Sequence, residues 1–467
     1  MHEHADLVLT GGRVHTMDAA GTVAEAVATR GGTIAAVGTA EDVAPLAGRG
    51  TRVVRLAGRA VLPGINDSHL HGVWLGAMWP ALLMDRLAGT GGHAGTGGHA
   101  GTGGHEHTAP VRLAGEERVA KAILRTAGLL APLGITGYTE PGLGPGEDGG
   151  ATGCFGTSAL RAYADLAERG ELTARVTALM LFGELDGRSS ADELAEGLRT
   201  FAPPPDVPGR FRVAGVKIFA DGIPPMRTAW TERPYADGST GALLVDGRDD
   251  ADREAALRAM IDAAHAAGHQ IGVHATGDRA TRVVADALAT AQARDGRDAR
   301  HYLIHGDLLS PATLEVLARA GIGLNTQAGI PVATAPLLAD ALGADALRDA
   351  WPVRSALDAG VRLSLSSDAP VLTPDWRAGV AAAVTRAGLD GTVRGPEQRI
   401  AVADALRAYT VTPAWQDGAE RWKGSVEPGK AADLCVLADD PLGVEPAALP
   451  SVPVEMTVLD GRVVYES

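Results

Sequence analysis

HQIGVHATGDRATRVVADALATAQA, residues 269–293, sets a short apolar run with β-branched residues ahead of a longer stretch with helical periodicity. That order reads as a strand followed directly by a helix. The polar group HATGD falls at the junction between them. The same arrangement recurs along the middle of the chain. Candidate strands are AVLPGINDSHLHG (60–72), ITGYTE (135–140), ARVTALMLF (174–182), RVAGVKIFADG (212–222), HQIGVHATGD itself (269–278), HYLIHGDLL (301–309), GIGLNTQAG (321–329) and VRLSLSSDAP (361–370). Helical stretches separate many of them, as at 250–268, 278–293 and 310–321. In SPATLE, Ser310 is expected to cap a helix that starts on Pro311. Eight strand–helix units predict an α/β fold, a (β/α)8 TIM barrel. A doubly wound sheet is the alternative, but no GxGxxG follows the first strand.

The two ends of the chain have a different texture. DLVLTGGRV, AVATRGGTIAAVG and TRVVRLAGRAV near the start, and GKAADLCVLA and VEMTVLDGRVVYE near the end, read as short strands punctuated by Gly pairs. Neither end holds enough apolar residues for its own core. Together they are expected to form one small composite β-sandwich, with 1–59 and 411–467 contributing its two parts and 60–410 forming the barrel.

With 467 residues, 45% of them apolar, the chain is long enough for a large core. Its net charge of −15 argues against a nucleic-acid or anionic membrane surface. Two cysteines, Cys154 and Cys435, make no CxxC pair or disulfide framework. With no signal-peptide pattern at the start and no run long enough to span a bilayer, a cytoplasmic protein is expected.

The polar residues gather at the C-terminal ends of the strands, where barrel active sites are built. SHLHG places His69 and His71 two apart, on one face if the strand continues through them. IGVHATGD contributes His274, YLIHGD His305 and LSLSSDAP Asp368. Each has a bland reading as a core histidine or a cap. Jointly, four histidines and a carboxylate at one end of a barrel point to divalent metal. VKIFADG adds Lys217. A buried ammonium beside cations is costly, unless the lysine is neutral and reacts with carbon dioxide to give an anionic carbamate. There is no GxSxG elbow or Walker A sequence.

The segments LPGINDSHLHG, GVKIFADG, IGVHATGDRA, YLIHGDLLSP, LSLSSDAPV, LRAYTVTPA and GSVEPGKAADLCVL resemble the metal-dependent amidohydrolase superfamily over nearly the whole chain. The likeness is to its YtcJ-like branch, which is similar to N-substituted formamide deformylases. The resemblance implies two divalent ions, with Zn2+ the expected metal. By position, His69 and His71 hold the first ion and carboxylated Lys217 bridges. His274 and His305 hold the second, and Asp368 is both a ligand of the first and the general base. It implies hydrolysis of a non-peptide C–N bond in a small amide-type substrate. A deaminase, a lactone or phosphoester hydrolase and a non-catalytic metal-binding scaffold are the rival readings.

Around these, Glu140 in GYTEPG is a candidate extra ligand or substrate contact, against a supporting role. In PPMRTAWTERPY (224–235), Arg227 and Trp230 are candidate substrate contacts, and Arg233 a further one. Trp74 and Trp79 are candidates for an apolar wall. Asp278 is expected to cap the helix that follows it. A homodimer is left open. The repeat AGTGGHAGTGGHAGTGGHEH (88–107) carries four of the 14 histidines. Its glycines lose much entropy on ordering, with little apolar surface to offset it. It is expected to be a flexible insertion beside the metal site.

Overall fold

The computed structural model describes residues 4–84, 113 and 115–467. The repeat at 88–107 lies outside the described residues. Sixteen strands are described. β1 (Leu7–His15), β2 (Val23–Arg30), β3 (Thr33–Gly38), β4 (Arg52–Arg55) and β5 (Ala60–Pro63) come first. β6 (Ile65–Asp67), β7 (Ile135–Leu143), β8 (Arg175–Leu181), β9 (Phe211–Phe219), β10 (Gln270–Ala275), β11 (Tyr302–His305), β12 (Gly323–Thr326) and β13 (Leu363–Leu365) follow. β14 (Leu434–Leu437), β15 (Val454–Leu459) and β16 (Arg462–Glu466) end the chain.

Strands β6 to β13 lie side by side in chain order and all pair in parallel. This is the nearly closed eight-stranded barrel that the alternation predicts. Its seam, between β13 and β6, is bridged by other bonds. Ser68 Oγ donates to the Leu365 carbonyl at 3.1 Å, the Asp368 N–H to the His69 carbonyl at 2.9 Å, and the Ser367 N–H to Asp67 Oδ1 at 3.0 Å. Helices such as Asp250–Ala266, Asp278–Ala293 and Pro311–Ala320 cover the outside. Ser310 caps the last of these by accepting from the Thr313 N–H, with Pro311 at its first position. Asp278 is the first residue of its helix rather than the cap, which is Gly277. Its carboxylate instead accepts from the Glu232 N–H at 2.9 Å and ties in the preceding loop.

The termini form one mixed sheet in the order β16-β15-β14-β5-β1-β2-β3, with β4 on β1. It wraps as a composite sandwich around Leu9, Val27, Ile34, Val61, Val436 and Met456. The β2–β3 hairpin turns through Gly31 and Gly32, both at positive φ (57° and 82°), where a side chain would be strained. The stretch 60–72 is not a single strand. β5 pairs with β1 and β14 in the terminal sheet, and after Gly64 β6 enters the barrel beside β7. Pro63–Gly64 marks the crossing as a turn but does not say that the strands on either side join different sheets. No helix among the described residues is long and apolar enough to cross a membrane.

Candidate metal centre

Strand β6 ends at Asp67, so His69 and His71 lie just past it. The strand-like alternation nevertheless persists. The Leu70 N–H donates to the Thr139 carbonyl on the β7 side at 2.9 Å. The His71 N–H donates to Ala369 on the β13 side at 2.8 Å. Leu70 therefore points into the apolar core while both imidazoles turn the other way. Asp67 holds this turn from beneath, its Oδ1 accepting from the Ser367 N–H and, at 3.4 Å, the His69 N–H. Burial pushes its carboxyl up to about 7, against those hydrogen bonds.

Asp368 is where the two histidines meet. Its Oδ1 lies 3.3 Å from His69 Nε2 and 3.5 Å from His71 Nε2. One ligand atom from each of the three residues fits within 4.8 Å of the others. The remaining imidazoles continue the cluster. Ring centroids are 5.2 Å apart for His69 and His305, and 4.5 Å for His274 and His305. Lys217 is 2% exposed, its Nζ 4.5 Å above the Phe219 ring, which itself packs on His274.

The charges suit cation binding. Burial holds His274 and His305 down to about 3 and His69 to about 4, so all three imidazoles are neutral at neutral pH, the form in which histidine can take a metal. Burial opposes ionisation of Asp368 too, but the surrounding imidazoles outweigh it and keep the carboxylate well below its ordinary range. Burial lowers Lys217 to about 8, despite the carboxylates of Asp186 and Asp368. His71 differs. Burial would lower it, but Asp368 and Glu140 together lift it to about 9.

The donor set passes a test of fit. Among the described residues, His69 Nδ1, His71 Nδ1 and His274 Nδ1 are buried without a hydrogen-bond partner. An unsatisfied buried polar atom costs about 1–3 kcal/mol. His274 Nε2 faces the Gly222 carbonyl at 3.0 Å, to which only an N–H can donate, so Nδ1 carries the free lone pair. That free lone pair, with His69 Nε2 and His71 Nε2 both turned toward Asp368 Oδ1, makes a nitrogen-and-carboxylate set of the kind a divalent cation takes.

Glu140 stands behind this set. Fully buried in β7, its Oε2 accepts from the Gly72 N–H (2.6 Å), the Val73 N–H (3.2 Å) and Tyr163 Oη (2.7 Å). Its Oε1 faces His71 Nδ1 at 3.6 Å. It backs His71 as carboxylates behind metal-bound histidines do. Arg227 and Trp230 make other contacts. Arg227 is 40% exposed and pairs with Asp237 at 3.0 Å. Trp230 is fully buried, with the Arg279 guanidinium 3.9 Å above its ring. Trp74 does lie beside the site, its ring edge-on to both His71 and Phe155.

Several residues with a part in the site have no strong local signal. Asp221 accepts from the N–H groups of Trp230, Thr276 and Gly277, joining the loops after β9 and β10. Gln327 Oε1 lies 2.7 Å from His305 Nδ1. Asp186, in the loop after β8, acts electrostatically on both Lys217 and His274.

Residues 102–465 match the sequence signature of the amidohydrolase family. The chain belongs to the amidohydrolase family. It is 32% identical over 255 residues to the Bacillus subtilis protein YtcJ, a match covering 54% of this chain and 47% of that one. It is also 32% identical over 200 residues to the N-substituted formamide deformylase of Arthrobacter pascens, covering 43% and 37%. These matches thus span less than half the length of either relative. Among solved structures, an uncharacterized metal-dependent hydrolase from Pyrococcus horikoshii shares the fold. Its TM-score is 0.72 at 20% identity, covering 94% of this chain and 99% of that one.

Proposed function

We propose that this amidohydrolase cleaves a non-peptide C–N bond in a small amide-type molecule. The observation that carries the reading is the convergence of His69, His71 and Asp368 within 4.8 Å at the C-terminal end of the barrel. Family membership and likeness to a formamide deformylase support the choice of bond. His69, His71 and Asp368 would hold one divalent ion. His274 and His305 would hold a second. Lys217, carboxylated from its uncharged amine to an anionic carbamate, would bridge them. In the carboxylation, the lysine nitrogen bonds to the carbon of carbon dioxide and releases a proton. Imidazole and carboxylate donors suit zinc. When bound, such ions acidify water and polarise a carbonyl.

The protein's own groups do the rest. Asp368 uses Oδ1 toward the two histidines, leaving Oδ2 to take the proton of the attacking water. It returns that proton to the departing nitrogen as the C–N bond breaks, and the products are an acid and an amine. Trp74 and Phe155, packed edge-on against His71, provide an apolar border that favours an apolar N-substituent.

The test pairs metal content per chain, by mass spectrometry on untagged chelator-washed protein, with a substrate panel. About two ions per chain and turnover of N-substituted amides support the reading. Turnover confined to lactones, phosphoesters or ring amidines refutes the bond assignment. Failure to bind or be reconstituted with metal refutes the hydrolase reading altogether.

A further inference from the structure

Beneath the metal centre, the barrel interior is crossed by amides. Gln416, from the helix Val411–Gln416 of the C-terminal region, donates through Nε2 to the Ser68 carbonyl at 3.1 Å. A carbonyl only accepts, which fixes the orientation of that amide. Gln416 Oε1 then faces Asn325 Nδ2 at 3.0 Å. Asn325 Nδ2 also donates to the Ser68 carbonyl, at 2.9 Å, so its orientation is fixed twice.

Asn325 Oδ1 must therefore receive hydrogen bonds. They come from Ser366 Oγ at 2.7 Å and Gln327 Nε2 at 3.3 Å. Gln327 Nε2 also donates to Ser366 Oγ at 2.8 Å. A flipped Gln327 would set its oxygen against Asn325 Oδ1. Only one sense satisfies every member, and it leaves Gln327 Oε1 facing His305 Nδ1 at 2.7 Å. An oxygen there demands a hydrogen on Nδ1.

We infer that Gln327 is a positioning residue that locks His305 as the Nδ1–H tautomer and leaves Nε2 as its free lone pair. The orientation is set from the Ser68 carbonyl, the peptide immediately before His69. One backbone group thus anchors both the segment that carries the first two histidines and the tautomer of the fourth. The consequence for metal rests on the two-ion reading above. The tautomer itself does not.

The test uses full-length protein labelled with 15N-histidine, stripped of metal, and a long-range 1H–15N spectrum in which His305→Asn identifies the His305 signals. The wild type is expected to show a single Nδ1–H tautomer. Gln327→Leu should lose that preference and weaken Zn2+ binding at the site His305 would help hold about 10–100-fold, measured by chelator competition. Gln327→Glu keeps an oxygen toward His305 but sets its other oxygen against Asn325 Oδ1, so it should retain the tautomer at a lowered urea midpoint. An Nε2–H tautomer in the wild type overturns the inference. So does a folded Gln327→Leu variant with unchanged tautomer and Zn2+ affinity. If Gln327→Leu does not fold, the wild-type spectrum alone decides. Because that spectrum needs no turnover, absence of amide hydrolysis would count against the proposed function and leave the tautomer standing.

Discussion

Glu140→Gln changes one buried oxygen to NH2 and little else. The carboxylate has two separate tasks, with three donors on Oε2 and His71 Nδ1 facing Oε1 at 3.6 Å. In the variant the amide oxygen must take the Oε2 position, since turning NH2 toward three donors would orphan them at about 1–3 kcal/mol each. The NH2 group then faces His71 Nδ1. That contact favours a lone pair on Nδ1 and a proton on Nε2, the atom turned toward Asp368. Cation binding has to displace that proton. Loss of such a partner typically weakens metal affinity about 10–100-fold, or roughly 1.4–2.7 kcal/mol. Hydrogen bonds to a charged acceptor exceed neutral ones by about 1 kcal/mol. Three weakened bonds, less the relief of desolvating a charge, cost about 1–3 kcal/mol of stability. Chelator competition with Zn2+ and urea midpoints measure the two effects. Glu140→Leu is a poorer probe, because three orphaned donors remove roughly 3–9 kcal/mol from a fold that typically holds 5–15. A folded Glu140→Gln protein that binds Zn2+ as the wild type does would refute the assignment of Glu140 to His71.

Gly72→Ala should cost about 1–3 kcal/mol, read as a lowered urea midpoint. Its Cβ would lie 2.6 Å from Tyr163 Oη, 3.0 Å from Tyr138 Oη and 3.1 Å from Glu140 Oε2. Lys217→Ala should lower metal content from about two ions per chain to about one, and an unchanged content would remove the bridge. A pH dependence should come from His301, which burial holds down to about 3. Its Nδ1 accepts from the Ile271 N–H at 3.0 Å and its Nε2 faces His265 Nδ1 at 2.8 Å, so the folded protein keeps it neutral. Unfolded chains protonate histidine below about 6.5. The contribution is therefore present above pH 6.5 and is lost toward pH 3, at up to about 1.4 kcal/mol per pH unit. His301→Gln should show a flatter fall in urea midpoint between pH 7 and 4, whereas curves parallel to the wild type would contradict the assignment.

The barrel was legible because each unit repeats one local signal. A short apolar run with β-branched residues, polar residues at its end and a 3.6-residue period after it need no knowledge of partners. His274 and His305 could be placed for the same reason, at the ends of β10 and β11. The split of 60–72 between two sheets was not legible, because Ala60–Pro63 and Ile65–Asp67 are both buried throughout and neither names the strands it pairs with. The orienting groups were harder still. Gln416 and Ser68 are 348 residues apart, and nothing near either one names the other. Asn325 and Gln327 did carry a faint signal. In GLNTQ they alternate with Leu324 and Thr326, which puts two amides on one face of a barrel strand. An inward face of that kind implies a polar network in place of an apolar layer.

Backbone conformation ties the members of the site to one another. His305 and Asp368 both sit in the left-handed region, at φ 72° and 57°. Residues with a Cβ avoid it, at a cost of about 1–3 kcal/mol each. Sequence gives no warning of this at a histidine. Each strained residue is held by bonds next to it. The Gly306 N–H reaches the Ala275 carbonyl at 3.0 Å, the Asp368 N–H reaches His69, and the Val371 N–H returns to the Asp368 carbonyl at 2.8 Å. Those bonds run to the neighbouring strand ends that carry His274 and His69. Relaxing either residue would therefore break a contact to another member of the cluster. The strain and the cross-strand bonds maintain one another. Ligands fixed by their own backbone bonds in this way have the preorganised geometry that a precise metal site needs.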